Sequence, residues 1–232
     1  MALVQYGGGI LGMRGSVGGQ VHSKNRFGNY IRARTVPVNP NTQRQSTMRA
    51  IVASLATYWS ATLSVAERAA WEVYAASITF TNKLGEQVNL TGFNHFVRSN
   101  SFALQNGGAV VAAGPTTLTL PGEDPTFAVT ISEATQELTV VFDDTLAWAN
   151  ADGGLMGVYC SKPQSAGTSF ITGPWKLAGT IDGATAVPPA TPATIDSPWP
   201  IAEGQVIAVR ARLMEVDGRL SDHFLSQFIV AA

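Results

Sequence analysis

Residues 206–230 read VIAVRARLMEVDGRLSDHFLSQFIV. Two strand-like runs, Val206 to Met214 and Phe224 to Val230, flank Asp217-Gly218, a dipeptide suited to the tight turn of a β-hairpin. Toward the amino terminus, similar runs occur at Trp175 to Ile181 and Leu155 to Cys160, preceded by alternating apolar triplets at Leu138, Val140, Phe142 and at Phe127, Val129, Ile131. Asp182-Gly183 and Asp152-Gly153-Gly154 supply turns between them. Six or seven short antiparallel strands are therefore expected across residues 126–232, and strands that each bury one face pack as two sheets.

That spacing argues for an immunoglobulin-like or fibronectin-type-III-like β-sandwich. Pro188, Pro189 and Pro192 mark a loop or edge crossing, because proline cannot donate within a central strand. Residues 108–125, rich in Ala, Gly, Thr and Pro, read as a linker.

Upstream, residues 39–107 read as an α-rich domain. Asn39-Pro40-Asn41-Thr42 starts a helix whose apolar positions Met48, Ile51, Val52, Leu55 and Trp59 share one face. Ser64, Val65, Ala66 and Glu67 form a capping box for a second helix with Trp71, Tyr74 and Ala75 as its stripe. The pair makes a helical hairpin joined around Leu63, with Trp59 and Trp71 near its closed end. Short strands are expected at 78–81 and 87–90 around Asn82-Lys83-Leu84-Gly85. A third helix runs from Thr91 or Gly92 to about Gln105, with Phe93, Phe96, Val97 and Leu104 inward and Gly107 as its stop. Trp59, Trp71, Phe93 and Phe96 are the expected core, and the fold class is α+β.

Residues 1–38 read as an extended, basic, glycine-rich arm. Eight glycines soften it, and Val21, Tyr30, Ile31 and Val36 show no sustained period. Such a segment buries too little apolar surface to offset its ordering entropy, so a neighbouring subunit is expected to order it. The formal net charge of the chain is −1, but residues 1–66 hold seven basic side chains and no acid, so the two parts carry +7 and −8. This split favours head-to-tail contact between copies, or contact of the arm with another acidic partner, protein or nucleic acid. Arg14, Lys24, Arg26, Tyr30, Arg32 and Arg34 are the candidate partner-binding residues. Protein contact is favoured over nucleic acid, because extended Val, Ile and Tyr stretches suit strand addition to a partner sheet.

Nothing in the sequence points to catalysis or to a cofactor. Gly7 to Gly12 fit G-x-G-x-x-G by spelling, but only six residues precede them, too few for a good strand-turn context, and no acidic residue lies about 20 positions on. His22, His95 and His223 are scattered, with no partner at metal-ligand spacing. Glu123-Asp124 and Asp143-Asp144 lie by expected loops without repeated ligand spacing. The lone cysteine, Cys160, sits in an apolar run and reads as a small buried hydrophobe. No secretory pattern or membrane-length apolar stretch is present, which predicts a chain made and folded in a cytoplasm.

Asn39-Pro40, Thr42, Gln45, Arg49, Trp59, Leu63, Arg68, Trp71 and Ala75, followed by Gly92-Phe93-Asn94-His95-Phe96, resemble a pattern in uncharacterised structural proteins of tailed phages and prophages. Gly28 and Arg32 to Arg34 also look like that group, and the likeness covers roughly residues 1–107. The resemblance implies a virion component that is not an enzyme. Its expected partners are its own copies and virion proteins such as the major capsid protein. Within that class a capsid-associated decoration or cement protein anchored through its arm is favoured over a tail or head-tail connector component. A nucleic-acid-binding arm is one alternative. The other is a carbohydrate-binding or adhesion module, with Trp148, Trp175 and Trp199 as platforms and Trp199, between two prolines, the most exposed.

Overall fold

Local capping sets the helical part of the chain. Thr42 closes a capping box with Gln45 and opens α1 (Gln43–Thr57); Ser64 closes another with Glu67 and opens α2 (Val65–Ser77). Between them Tyr58–Thr62 widens into a π-helical turn, in which Leu63 N donates to Tyr58 O. Two helices therefore form where the sequence places them, joined through Leu63. The computed structural model describes residues 2–171 and 173–230. Met1, Ala231 and Ala232, at the ends of the expected arm and sandwich, and Thr172 lie outside the described residues.

The chain divides into two compact units, residues 1–97 with 116–118, and residues 98–115 with 119–232. In the first unit, residues 2–33, expected as an extended arm, pair into a four-stranded antiparallel sheet. Its strands are β1 (Ala2–Val4), β2 (Gly15–Val17), β3 (Gln20–Asn25) and β4 (Gly28–Ala33), in the order β1-β4-β3-β2. The cause is turn geometry rather than burial. Val17 pairs with Gln20 across Gly18-Gly19, both at positive φ, the conformation that matches a two-residue hairpin to strand twist. Asn25 pairs with Gly28 around the next tight turn. Neighbouring strands pair with one another, and His22 is the one buried residue among these strands.

After α2 come a small hairpin, β5 (Thr79–Thr81) with β6 (Gln87–Asn89), and then α3 (Gly92–Gln105). Phe96 on α3 is fully buried among the rings of Tyr58, Trp59 and Trp71, with centroids 6.2, 5.4 and 5.7 Å away. Phe93 meets Trp59 edge-on at 5.6 Å. Trp71 is buried; Trp59 and Phe93 are half-buried. The expected apolar face of α1 is only partly covered: Leu55 is buried, Met48, Ile51 and Trp59 are half-buried, and Val52 is exposed.

In the second unit, β7 (Ala128–Ser132), β8 (Glu137–Val141) and β11 (Ala193–Asp196) form a three-stranded sheet in the order β11-β8-β7. A four-stranded sheet, β10-β9-β12-β13, comprises β9 (Leu155–Ser161), β10 (Trp175–Asp182), β12 (Val206–Met214) and β13 (Phe224–Val230). All pairings are antiparallel. One core takes Val129, Ile131, Leu138 and Val140 from the first sheet and Met156, Val158, Cys160, Val209, Ala211 and Leu213 from the second. Residues 98–111 carry a satellite cluster: Phe102 and Ala103 pack with Leu155, Met214 and Leu220. Asn100 fixes the chain just past the helix, accepting from Val111 N at 2.7 Å and donating to Val111 O at 3.2 Å.

Candidate functional site

The basic residues near the amino terminus are spread over the sheet rather than aligned. Register places Arg32 opposite Val21 and Tyr30 between Leu3 and Ser23, so Tyr30 and Arg32 share one face. Lys24, opposite Asn29, belongs to the other face with His22 and Ile31. Arg14 and Arg34 flank the strands and are exposed, and Arg34 N donates to Gly19 O. Arg26 sits in the β3–β4 turn and is spent internally, donating from Nη1 to Asn89 O at 2.7 Å. Asn82 Nδ2 reaches Phe27 O at 2.9 Å, so this turn is tied to the β5–β6 hairpin.

The surface instead combines polar strands with uncovered apolar side chains. Leu11, Val36 and Val38 are 98%, 92% and 88% exposed, and Val17 and Ile10 are also open. A sheet of this size needs an apolar face or a packed neighbour for stability. Helix α1, at 15 residues, is of a length that is marginal in water without tertiary packing. Edge strands β1 and β2 also present unpaired backbone groups on their outer sides.

The other sequence candidates resolve into structural roles. Asp124 is buried; its Oδ1 accepts from Thr126 N and Oγ1, and its Oδ2 from Asp143 N. Asp143 Oδ1 accepts from Thr145 N and Oγ1, and these bonds hold its carboxyl below the usual range. Cys160 is buried, and desolvation pushes its thiol up to about 12. Among the described residues, no group of three or more His, Cys, Asp or Glu side chains is placed to hold a metal ion. No described helix is long and apolar enough to cross a membrane. Trp148 is fully buried and cannot act as a platform. Trp199, expected as the most exposed of the three, is half-buried: it packs against the core shared by the two sheets of this unit, beneath the Lys176 ammonium, 5.1 Å from its ring centroid.

Sequence reasoning passed over a second charged surface. Alternation along β12 that turns Val209, Ala211 and Leu213 into the core turns Arg210 and Arg212 out of it. They meet Trp175, Tyr159, Arg98 and His223 on the outer side of the four-stranded sheet. The signal was present in the same 25 residues that decide the fold, as charged positions alternating with core positions. In comparisons with protein-family models, with curated proteins and with solved structures, nothing matches this chain.

Proposed function

We propose that this chain is a self-assembling structural subunit of a tailed-phage virion, a capsid-associated decoration or cement protein that engages its neighbours through residues 2–38 and α1. The observation that carries this reading is a folded, basic amino-terminal sheet with almost no buried residue, followed in the chain by a helix in which Leu55 alone is buried. Association of copies would cover Leu11, Val17, Val36, Val38 and Val52, each of which is exposed in the single chain. The phage resemblance over residues 1–107 supplies the setting. Strand order β11-β8-β7 against β10-β9-β12-β13 supports a fibronectin-type-III-like sandwich as the second module.

Sedimentation of the full chain over a range of concentration and salt, with and without single-stranded and duplex DNA, tests the proposal. A defined oligomer that persists at high salt and ignores DNA is expected. A monomer that binds DNA with an affinity falling steeply with salt overturns it in favour of a nucleic-acid-binding protein.

A further inference from the structure

The two sheets of the second unit carry opposite charge on their outer faces. On the four-stranded sheet, Arg210 lies 4.3 Å from the Trp175 ring centroid and 5.5 Å from that of Tyr159. Arg212 lies 5.5 Å from the Phe102 centroid. Arg98 and Arg212 both donate to Ser221 O, at 3.0 and 3.2 Å, so two guanidinium groups converge on one carbonyl. The acid of this cluster, Asp222, is taken by Arg98 at 3.0 Å. Among the described residues neither Arg210 nor Arg212 has an ion-pair partner, and the Nε of each is buried without a hydrogen bond. Desolvation, then the Arg98 charge, pushes Arg212 down to about 10, so it remains a cation at neutral pH. Leu225, at 58% exposed, adds an apolar edge to the patch.

The three-stranded sheet is the complement. Leu138, Val140 and Ile195 face the core, so Glu137, Thr139, Thr194 and Asp196 face outward. Register sets Asp196 directly opposite Glu137 and Thr194 opposite Thr139. Like charges directly opposite across an antiparallel pair are destabilising, and among the described residues no cation pairs with either carboxylate. The cation near this edge, Lys176, is committed to Pro198 O at 3.0 Å and to the Trp199 ring. The remainder of the face, Thr130, Thr139 and Thr194 in register, Ser132 opposite Glu137 and the exposed Ala128–Val141 pair, carries no charge.

We propose that the second units of successive copies dock head to tail, the Arg98–Arg210–Arg212 face of one copy receiving the Glu137–Asp196 row of the next. This rests on the assembly reading above and names a contact for it. The two surfaces differ, so the contact is heterologous and repeats into a ring or a filament according to whether its rotation closes. Docking would bring the Glu137 and Asp196 carboxylates of one copy to the cationic face of the next and relieve the opposed acids.

Charge reversal in the full chain tests the contact by sedimentation. Glu137→Lys with Asp196→Lys, and separately Arg210→Glu, are each expected to weaken self-association by about tenfold or more. The combination of Arg210→Glu with Asp196→Arg is expected to restore it. The acidic-side variant alters outward residues alone, so misfolding at Arg210 cannot hide the answer. Association unchanged in the Glu137→Lys/Asp196→Lys variant overturns this contact while leaving assembly through the amino-terminal sheet standing. A monomeric parent chain overturns both.

Discussion

Gly157→Ala is the sharpest test of the packing that holds the basic face in place. Gly157 lies in β9, paired on one side with Thr180 and on the other with Arg212, so its backbone cannot retreat. A methyl group there would sit 2.6 Å from Phe102 Cζ and 2.7 Å from Cε2. Ordinary carbon contact is about 3.5–4.0 Å, which leaves an overlap of roughly 1 Å. Phe102 is 3% exposed and packed by Leu155, Met214 and Leu220, so it has little room to swing away. Overpacking of this kind costs about 1–3 kcal/mol, and removing a strand glycine returns roughly 0.5–1 kcal/mol. An overlap of this size belongs at the upper end of that range, so the expected net loss is about 2 kcal/mol, a fall in Tm of roughly 4–8 °C for a chain of this length, read by calorimetry. Phe102→Leu in the same chain should relieve the clash, with a coupling of at least about 1 kcal/mol in the double-mutant cycle. An unchanged or raised Tm in Gly157→Ala, or additive effects in the double variant, would refute the reasoning.

Two further outcomes follow from ionisation. Burial, then the charges of Arg212, Arg210 and Arg98, push His223 down to about 3, although the residue keeps an open side to solvent; a bond with the Ala211 backbone opposes the shift. Tyr159 packs on the ring at 5.2 Å and Asp222 precedes it in the chain. Since the unfolded chain binds that proton near pH 6.5, the contribution of His223 to stability is present above that pH and is lost as pH falls toward 3. The His223 imidazole resonance should therefore stay neutral-like from pH 8 to 5; titration near 6.5 would contradict the placement of Arg212, Arg210 and Arg98 around it. Cys160, buried with its thiol near 12, should resist thiol reagents at pH 8 until the chain is unfolded, and rapid labelling of native protein would contradict its place in the core.

Legibility in the sequence tracked the range of the interactions. Ser64 and Glu67 act within one turn, so the second helix start could be read directly. Strands of the second unit announced themselves by alternation, except β11, whose four residues follow the prolines too closely to show a period. The amino-terminal sheet stayed hidden because β1 and β2 are three residues long and bury almost nothing; its one local signal was Gly18-Gly19 between Val17 and Gln20. Phe102 against Gly157, and Glu137 opposite Asp196, join residues more than 50 apart, and no local pattern encodes those meetings.

Hydrogen exchange on the full chain as a function of its concentration tests the central claim most directly. Assembly through the amino-terminal sheet requires amides of β1, β2 and the residues 34–42 ahead of α1 to gain protection as oligomers form, in step with the mass seen by native mass spectrometry. Exchange there that is independent of concentration, in a chain that stays at the 24.4 kDa of a monomer, would contradict the account.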